Sequence, residues 1–423
     1  MELNTCALLL KNRFRLGGLI LVMLICVLQI PSYAQSCVCP EYYGLAPSLT
    51  ISEDILSFKP KDLLKSSRKQ PAIDKATLVF QPIAGQIQEL ADAHAFSDWM
   101  QIQLAMKTAK ALYQSPSGQA LAAVGLMRAL GFNAVLLEFR DADSGEQNTY
   151  GVAVASRQKI FGGVMFEHEK SLFILLDLQK ESVRKNMNGS ATTIILGAEN
   201  TSASGPSLSP IDLEFLATPR LPMQPQKTTL LWSDTQGSYR LPLTVNANLI
   251  RYDASYPQLE VMFHLNRPIN ADVLTGLIQP LKTIIVQKKF TEDAAVQFLL
   301  SFCHHAFTHL DDIKNTGIEH HNSVEETLVA NASDCEDFVL LLSVLIRGVL
   351  GYPVIGLEYP NHLSLAVALP EGYLKGDRYR YKEKTYVHCD PSFVGGKLGD
   401  VQPDFKEMDP KVIPIGNLLI SGN

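Results

Sequence analysis

The chain has 423 residues, of which 46% are hydrophobic and 19% are charged, and its formal net charge is -6. This composition is typical of a globular protein, and the negative charge argues against a general nucleic-acid binder. On a prior of about 150 residues per domain, the length predicts two or three domains.

Residues 1–34 have the organisation of a signal peptide. Three basic side chains between positions 11 and 15 precede the apolar run 16–30, which is short for a membrane span. The small residues Ser32 and Ala34 then occupy the two positions that a signal peptidase reads. We expect cleavage after Ala34 and export to the periplasm or the medium, with an uncleaved anchor as the alternative. No later segment is long and apolar enough to cross a membrane.

The cysteines bear on both compartment and chemistry. An odd number after signal cleavage predicts at least one free thiol in an oxidising compartment. No pair has the spacing of a CxxC motif, so the sequence predicts no structural zinc site and no cofactor. Of the seven cysteines, five follow the predicted cleavage site: Cys37, Cys39, Cys303, Cys335 and Cys389.

The first half reads as a loosely ordered leader, residues 35–75, followed by an α+β unit over 76–183. Two helices are predicted, the second ending at Gly131, a residue that favours a helix C-terminus. Ser97 is a candidate N-cap within the helical region. The predicted helices cover 83–113 and 119–130, and the predicted strands cover 134–139, 151–155 and 172–176.

The middle of the chain changes character. Residues 184–226 are rich in Ser, Thr, Gly and Pro and read as a linker. Residues 227–270 alternate between apolar and polar, including Leu259, Val261 and Phe263, which predicts a small β-layer. Helical patterns return in the last domain, residues 271–423, over 273–286 and 292–310.

This last domain repeats the order of the first. A helix over 338–350 ends at a glycine, the strand 353–358 follows, and Arg347 stands where Arg128 stands in the first half. We therefore predict two copies of one α+β domain with the β-layer between them. A general helix–strand–strand likeness is the alternative.

A cysteine opens the predicted helix of the second copy. In Ser333-Asp334-Cys335-Glu336-Asp337, the thiol of Cys335 would lie in the first turn, where unpaired N–H groups and the helix dipole favour a thiolate. The neighbouring carboxylates would raise its pKa. The alternative is a small buried hydrophobe.

A candidate base and a candidate carboxylate follow the cysteine. His362 opens a strand and Asp390 ends another, so Cys, His and Asp occur in an order that suits thiol acyl transfer. His388 is a rival base, whereas Cys389 faces the other way and is predicted to pack. The pairs His304-His305 and His320-His321 are poor candidates for a metal site, because adjacent residues on a helix point about 100° apart and rarely bind one ion.

The first copy lacks this set of residues. Pro116-Ser117-Gly118 takes the place of Cys335, and Asn148-Thr149 takes the place of His362. Only the carboxylate has a counterpart, Asp177. The first copy is thus predicted to be degenerate.

Three segments of the second half resemble the transglutaminase-like superfamily, in particular a bacterial branch. They are Ser333-Asp334-Cys335-Glu336-Asp337, Gly356-Leu357-Glu358-Tyr359-Pro360-Asn361-His362 and Cys389-Asp390-Pro391-Ser392, within a similarity that covers about residues 228–415. The resemblance implies a papain-like fold, with the cysteine on a helix packed against an antiparallel sheet. It also implies a catalytic triad of Cys335, His362 and Asp390. Leu363-Ser364 departs from the Ala-Trp that follows the histidine in many members.

We therefore expect an exported cysteine peptidase or amidase acting on a protein or peptide, such as a cell-envelope peptide. One alternative is a non-catalytic cell-envelope binding or assembly module built from two such shells. Another is a protein cross-linking transglutaminase. No nucleic acid, metal or cofactor is expected.

Overall fold

The structure is a computed structural model that describes residues 37–64, 69–140, 149–176, 192–197, 207–309, 320–330, 332–370 and 375–421. Two five-stranded antiparallel sheets, each packed against helices, form the architecture. The fold is therefore mixed α+β, as the sequence predicts. The predicted signal peptide, residues 1–34, lies outside the described residues.

The described elements of the first half bury a large apolar core, called the first core, and a smaller apolar cluster on the strands of the sheet. In chain order they are β1 (Cys37–Val38), β2 (Leu49–Thr50), α1 (Glu53–Ser57), α2 (Pro60–Leu63), α3 (Gln70–His94), α4 (Asp98–Leu112), α5 (Pro116–Ala129), β3 (Ala134–Arg140), β4 (Thr149–Ser156), β5 (Met165–His168), β6 (Ser171–Leu176) and β7 (Thr192–Leu196).

The described residues before α3 are ordered, in contrast to the predicted loose leader. β1 pairs with β2, and Tyr42, Leu49, Ile55 and Phe58 are buried in the first core. The Tyr42 hydroxyl donates a hydrogen bond to the Met100 carbonyl at 2.6 Å. The sequence did not reveal this packing, because these apolar residues follow neither the helical nor the strand period.

The Ser97 cap and the Gly131 stop are confirmed, whereas the helices predicted from positions 83 and 119 begin earlier, at Gln70 and Pro116. The Ser97 hydroxyl caps α4 by accepting a hydrogen bond from the Met100 amide at 3.3 Å. After α5, Gly131 takes a φ of +93°, which suits glycine at the end of a helix. Gly125 allows α5 to approach α3, since an added Cβ would lie 2.7 Å from the Ala76 Cβ.

The predicted β-layer is a hairpin followed by two helices. β8 (Pro225–Asp234) and β9 (Gly237–Asn246) pair, but α6 (Ala247–Ala254) and α7 (Val261–Leu265) follow. The Asn246 side chain accepts a hydrogen bond from the Asn248 amide at 3.1 Å and starts α6. The predicted strand through Leu259, Val261 and Phe263 is wrong, because so short an alternation fits one helical turn equally well.

The hairpin packs into the core of the second half. The Trp232 ring lies 4.9 Å from the Phe302 ring and 6.0 Å from the Phe298 ring. Trp232 and its neighbours belong to the same buried cluster as the last domain. The hairpin is therefore part of the second core and not a separate layer.

The second half contains two π-helical turns, Leu274–Ile278 and Ile346–Leu350, and a 3-10 turn, Pro403–Phe405. Its helices and strands are β10 (Ile269–Asn270), α8 (Ala271–Val273), α9 (Gln279–Lys288), α10 (Glu292–Ala306), β11 (Thr308–His309), α11 (Val324–Val329), β12 (Ala332–Ser333), α12 (Cys335–Leu345), β13 (Val354–Tyr359), β14 (His362–Val367), β15 (Arg378–Tyr381), β16 (Lys384–Cys389), β17 (Lys411–Pro414) and β18 (Ile420–Ser421).

The two large sheets have the same strand order. It is β5-β6-β4-β3-β7 in the first half and β15-β16-β14-β13-β17 in the second. A buried arginine makes the same contact in each half: Arg128 donates to the Gly197 carbonyl at 2.7 Å, and Arg347 donates to the Gly416 carbonyl at 3.2 Å. Each glycine follows the last strand of its sheet. The two halves therefore share one topology.

In the part of the chain that the structure describes, no helix is long and apolar enough to cross a bilayer.

Candidate functional site

Cys335 is the first residue of α12, whose remaining residues are largely buried. The Asp334 side chain caps this helix and accepts a hydrogen bond from the Asp337 amide at 3.3 Å. The first N–H groups of a helix have no partner within it, and the helix dipole favours negative charge there. Cys335 therefore lies where the sequence places it, at the start of a buried helix.

The thiol of Cys335 has two polar neighbours. Its Sγ donates a hydrogen bond to Oε2 of Glu336 at 2.9 Å, and the backbone N–H of Leu363 is near enough to favour the thiolate. Burial raises the pKa of Cys335, and the Glu336 carboxylate raises it further, against the smaller opposite effect of Leu363. Cys335 is thus a neutral thiol in this arrangement.

The contact with Leu363 brings Cys335 close to the start of β14, where His362 lies. Pro360 and Asn361 form the turn between β13 and β14, and His362 pairs with Tyr359 across it. Asp390 follows β16, the neighbour of β14 in the sheet. The sheet therefore brings His362 and Asp390 together.

His362 and Asp390 form a direct contact. Nε2 of His362 lies 2.9 Å from Oδ2 of Asp390. Because Asp390 engages Nε2, His362 would have to act on the Cys335 thiol through Nδ1.

The Asp390 carboxylate is held by several donors. Its Oδ1 accepts from the Ser392 amide at 3.0 Å and the Ser392 hydroxyl at 2.8 Å, and its Oδ2 accepts from Nε2 of Gln402 at 2.9 Å. Burial would raise the pKa of Asp390, but the contacts with His362, Gln402 and Ser392 lower it to about 2. Asp390 is therefore ionised at neutral pH.

Phe405 covers one face of the His362 ring. The two ring centroids are 4.6 Å apart and the planes differ by 7°. Gln402, at the start of the same turn, also lies 3.3 Å from Nε2 of His362. The segment 402–405 thus restrains both the imidazole and its carboxylate partner.

His388, the rival base, is buried with both ring nitrogens in contact with neighbours. Nε2 lies 2.8 Å from the Ser364 hydroxyl, and Nδ1 lies 2.7 Å from the Asp400 carbonyl. Burial lowers the pKa of His388. Cys389 is fully buried next to it, in keeping with the predicted packing role.

The two histidine pairs also take part in local contacts. Nε2 of His304 lies 3.1 Å from the Asp390 carbonyl oxygen, and Nδ1 of His320 lies 2.7 Å from Nε2 of Gln258. Among the described residues, no group of three or more His, Cys, Asp or Glu side chains could hold a metal ion.

A groove of about 560 Å³ opens beside His362 and takes residues from both halves of the chain. Phe161 of the first half, 53% exposed, contributes to its lining, and the Phe161 amide donates to the Gln258 carbonyl at 2.8 Å. Glu336 also lines the groove, so the carboxylate that holds the Cys335 thiol faces this space.

The corresponding place in the first half is occupied differently. Pro116 is the first residue of α5, and Thr149 is the first residue of β4. Glu138, which pairs with Tyr150 as Glu358 pairs with Leu363, is fully buried in an ion pair with Lys69. Asp177, the predicted counterpart of Asp390, lies outside the described residues.

Sequence reasoning did not find Gln402, Phe405 or Phe161. All three lie on turns or loops, where no periodic pattern indicates which way a side chain faces. Gln402 follows Asp390 by twelve positions, and Phe161 comes from the other half of the chain. Only the Gly162-Gly163 pair, a turn signal, marked the Phe161 loop.

Comparisons of this chain with protein-family models, with curated proteins and with solved structures gave no match.

Proposed function

We propose that this protein is a cysteine-dependent acyl-transfer enzyme of the transglutaminase-like type that hydrolyses amide bonds in a peptide or protein. One observation carries the proposal: the His362–Asp390 pair belongs to the sheet that packs against α12, the helix that begins at Cys335. A thiol at a helix start, an imidazole and a buried ionised carboxylate are the groups that thiol acyl transfer requires.

In the proposed reaction, the Cys335 thiol gives its proton to Nδ1 of His362, and the sulfur attacks the amide carbonyl carbon. Asp390 holds the imidazole and stabilises its charged form. The backbone N–H of Cys335 would stabilise the oxyanion. The carbon–nitrogen bond then breaks, the leaving amine takes the proton from His362, and a thioester remains.

Hydrolysis restores the enzyme. Water loses a proton to Nδ1 of His362 while its oxygen attacks the thioester carbonyl. The carbon–sulfur bond breaks, Cys335 regains its proton, and a carboxylic acid leaves. The proposed enzyme is exported and acts on peptides such as those of the cell envelope, as its N-terminal segment and motifs suggest.

The first half is proposed to be a degenerate copy of the same domain. The shared strand order and the matching contacts of Arg128 and Arg347 support an internal duplication. Pro116 and Thr149, in the positions of Cys335 and His362, cannot act as nucleophile and base.

A second candidate function is a non-catalytic binding module. It is favoured by the hydrogen bond from Cys335 to Glu336, since a thiol engaged by a carboxylate is not activated.

The test is a screen of cell-envelope peptides and peptidoglycan fragments with the wild type and Cys335→Ala, read by mass spectrometry. We expect amide cleavage and a thioester on Cys335 in the wild type, and neither in the variant. Cleavage that persists in Cys335→Ala would refute the proposal. Amine incorporation without hydrolysis would assign cross-linking, and peptide binding without acylation would assign the binding module.

A further inference from the structure

Glu336 both contacts the Cys335 thiol and lines the groove. It accepts the hydrogen bond of the Cys335 thiol at 2.9 Å, and it lines the groove that leads to His362. A carboxylate in this place opposes thiolate formation, because it bonds the protonated form and repels the charged one. The same side chain is also the part of the site that an entering substrate would meet.

The charges around the groove are unbalanced. Its charged lining consists of Glu260, Glu336, Glu358 and Lys411. Nζ of Lys411 lies 2.8 Å from Oε2 of Glu358, so these two charges compensate each other. Glu260 and Glu336 leave the groove with excess negative charge, which is complementary to a cation.

Other titratable groups do not remove this imbalance. His321 also lines the groove and feels the charge of Glu336, but burial lowers its pKa. A neutral His321 gives Glu336 no positive partner at neutral pH. His362 contacts Asp390, and Asp334 adds negative charge at the Cys335 helix start.

We propose that Glu336 is a specificity-determining latch, which holds Cys335 as a thiol until a cationic group of the substrate enters the groove. The substrate class is an amide with a primary ammonium group near the scissile bond, such as a lysine side chain. The ammonium pairs with the Glu336 carboxylate and draws it from the sulfur. The thiol proton then passes to Nδ1 of His362.

This inference rests on the proposed function for its substrate, but the latch is measurable without one. The variant Glu336→Gln keeps the shape of the side chain and removes its charge. We expect iodoacetamide to alkylate Cys335 about tenfold faster in the variant at neutral pH, which corresponds to a thiol pKa lower by about one unit. Mass spectrometry of the Cys335 peptide separates this thiol from the other cysteines.

Two further variants control the measurement. Glu53→Gln removes an exposed carboxylate from the first turn of α1 and is expected to leave the rate unchanged. Glu336→Asp keeps the charge and is expected to stay closer to the wild type than Glu336→Gln. An unchanged or slower alkylation in Glu336→Gln would overturn the latch.

The cationic substrate class has its own test. Thiolate absorbance in the ultraviolet, taken relative to Cys335→Ala, is followed while N-acetyl-lysine amide or its uncharged analogue N-acetyl-norleucine amide is added. We expect the lysine compound alone to raise the absorbance, in the wild type but not in Glu336→Gln. No rise with lysine, or an equal rise with norleucine, would overturn the cationic class.

Failure of the latch and failure of the proposed function give different results. If Cys335 is alkylated faster in Glu336→Gln but the wild type cleaves no amide in the peptide screen, then the latch exists without the proposed activity. If amides are cleaved and the alkylation rate does not change, then the enzyme exists without the latch.

Discussion

The two halves of the molecule have sheets of the same strand order but differ at one corner of the sheet. This corner is the place where β14 begins in the second half and β4 begins in the first. In the second half, His362 opens β14, and Glu358 on the adjacent strand is 41% exposed at the groove. In the first half, Thr149 opens β4, and Glu138 on the adjacent strand is fully buried by Lys69. One corner is thus an open groove and the other is filled by the chain itself.

This difference separates what sets the topology from what sets the chemistry. Strand order depends on apolar strands and on the buried arginines, Arg128 and Arg347, which both halves have. The candidate chemistry depends on the first residue of one helix and the first residue of one strand. The same sheet can therefore exist without these two residues, and its corner can then hold a buried ion pair.

The largest expected effect comes from replacing the first residue of β14, with the first residue of β4 replaced for comparison. His362→Ala should lower kcat/KM by about 1,000-fold, because general acid–base catalysis is lost from the proposed triad. Thr149→Ala, at the matching place in the first half, should leave kcat/KM unchanged. The measurement uses a substrate that the wild type cleaves in the peptide screen, and circular dichroism confirms that both variants fold. Equal losses in the two variants would contradict the difference between the halves.

The next effect tests the carboxylates on the adjacent strands. Glu138→Gln leaves Lys69 buried without its partner and should lower the free energy of unfolding by about 3 kcal/mol. Glu358→Gln breaks an exposed pair with Lys411, which is worth less than about 1 kcal/mol. Urea unfolding of both variants measures the difference. Similar losses would show that the first corner is not held by its ion pair.

A smaller effect concerns the pH dependence of the second corner. The pKa of Asp390 is lowered to about 2 in the folded protein. A lowered pKa stabilises the folded state above the unfolded pKa, near 4, and this contribution is lost as the pH falls towards 2. The contribution amounts to about 2 kcal/mol.

The wild type should therefore lose stability relative to Asp390→Asn as the pH falls from about 5 to about 2. The variant serves as the reference because other buried carboxyls change in the opposite direction. Burial raises the pKa of Asp253 to about 6 and of Glu325 to about 7. Urea unfolding at several pH values measures the difference, and parallel curves for the two proteins would contradict the assignment.

Periodic apolar segments made much of the fold predictable from the sequence. The helix that begins at Cys335 and the strands that present His362 and Asp390 follow from such runs and from the glycine stops. The predicted strand through Val261 failed because three alternating residues also fit a helical turn. The contacts of Glu336 and Phe405 depend on side-chain directions in turns and first helical positions, which no period encodes.

The smallest expected effect concerns the turn that sets His362 in place. Asn361 has a φ of +57°, and it follows Pro360 in the two-residue turn between β13 and β14. In the first half, the matching strands end at Arg140 and begin at Thr149. Asn tolerates positive φ far better than a β-branched residue does. The positive φ of Asn361 is therefore a requirement of the short turn that precedes His362.

Asn361→Val should lower the free energy of unfolding by about 1 kcal/mol, because valine is strained at positive φ. Asn361→Gly is the matched control, and it should differ from the wild type by less than about 0.5 kcal/mol, since glycine adopts this conformation freely. Thermal unfolding compares the two variants. A misplaced His362 should also slow the reaction in Asn361→Val but not in Asn361→Gly, which links the turn to the proposed site. Equal stability and equal rates in the two variants would show that the positive φ of Asn361 does not position His362.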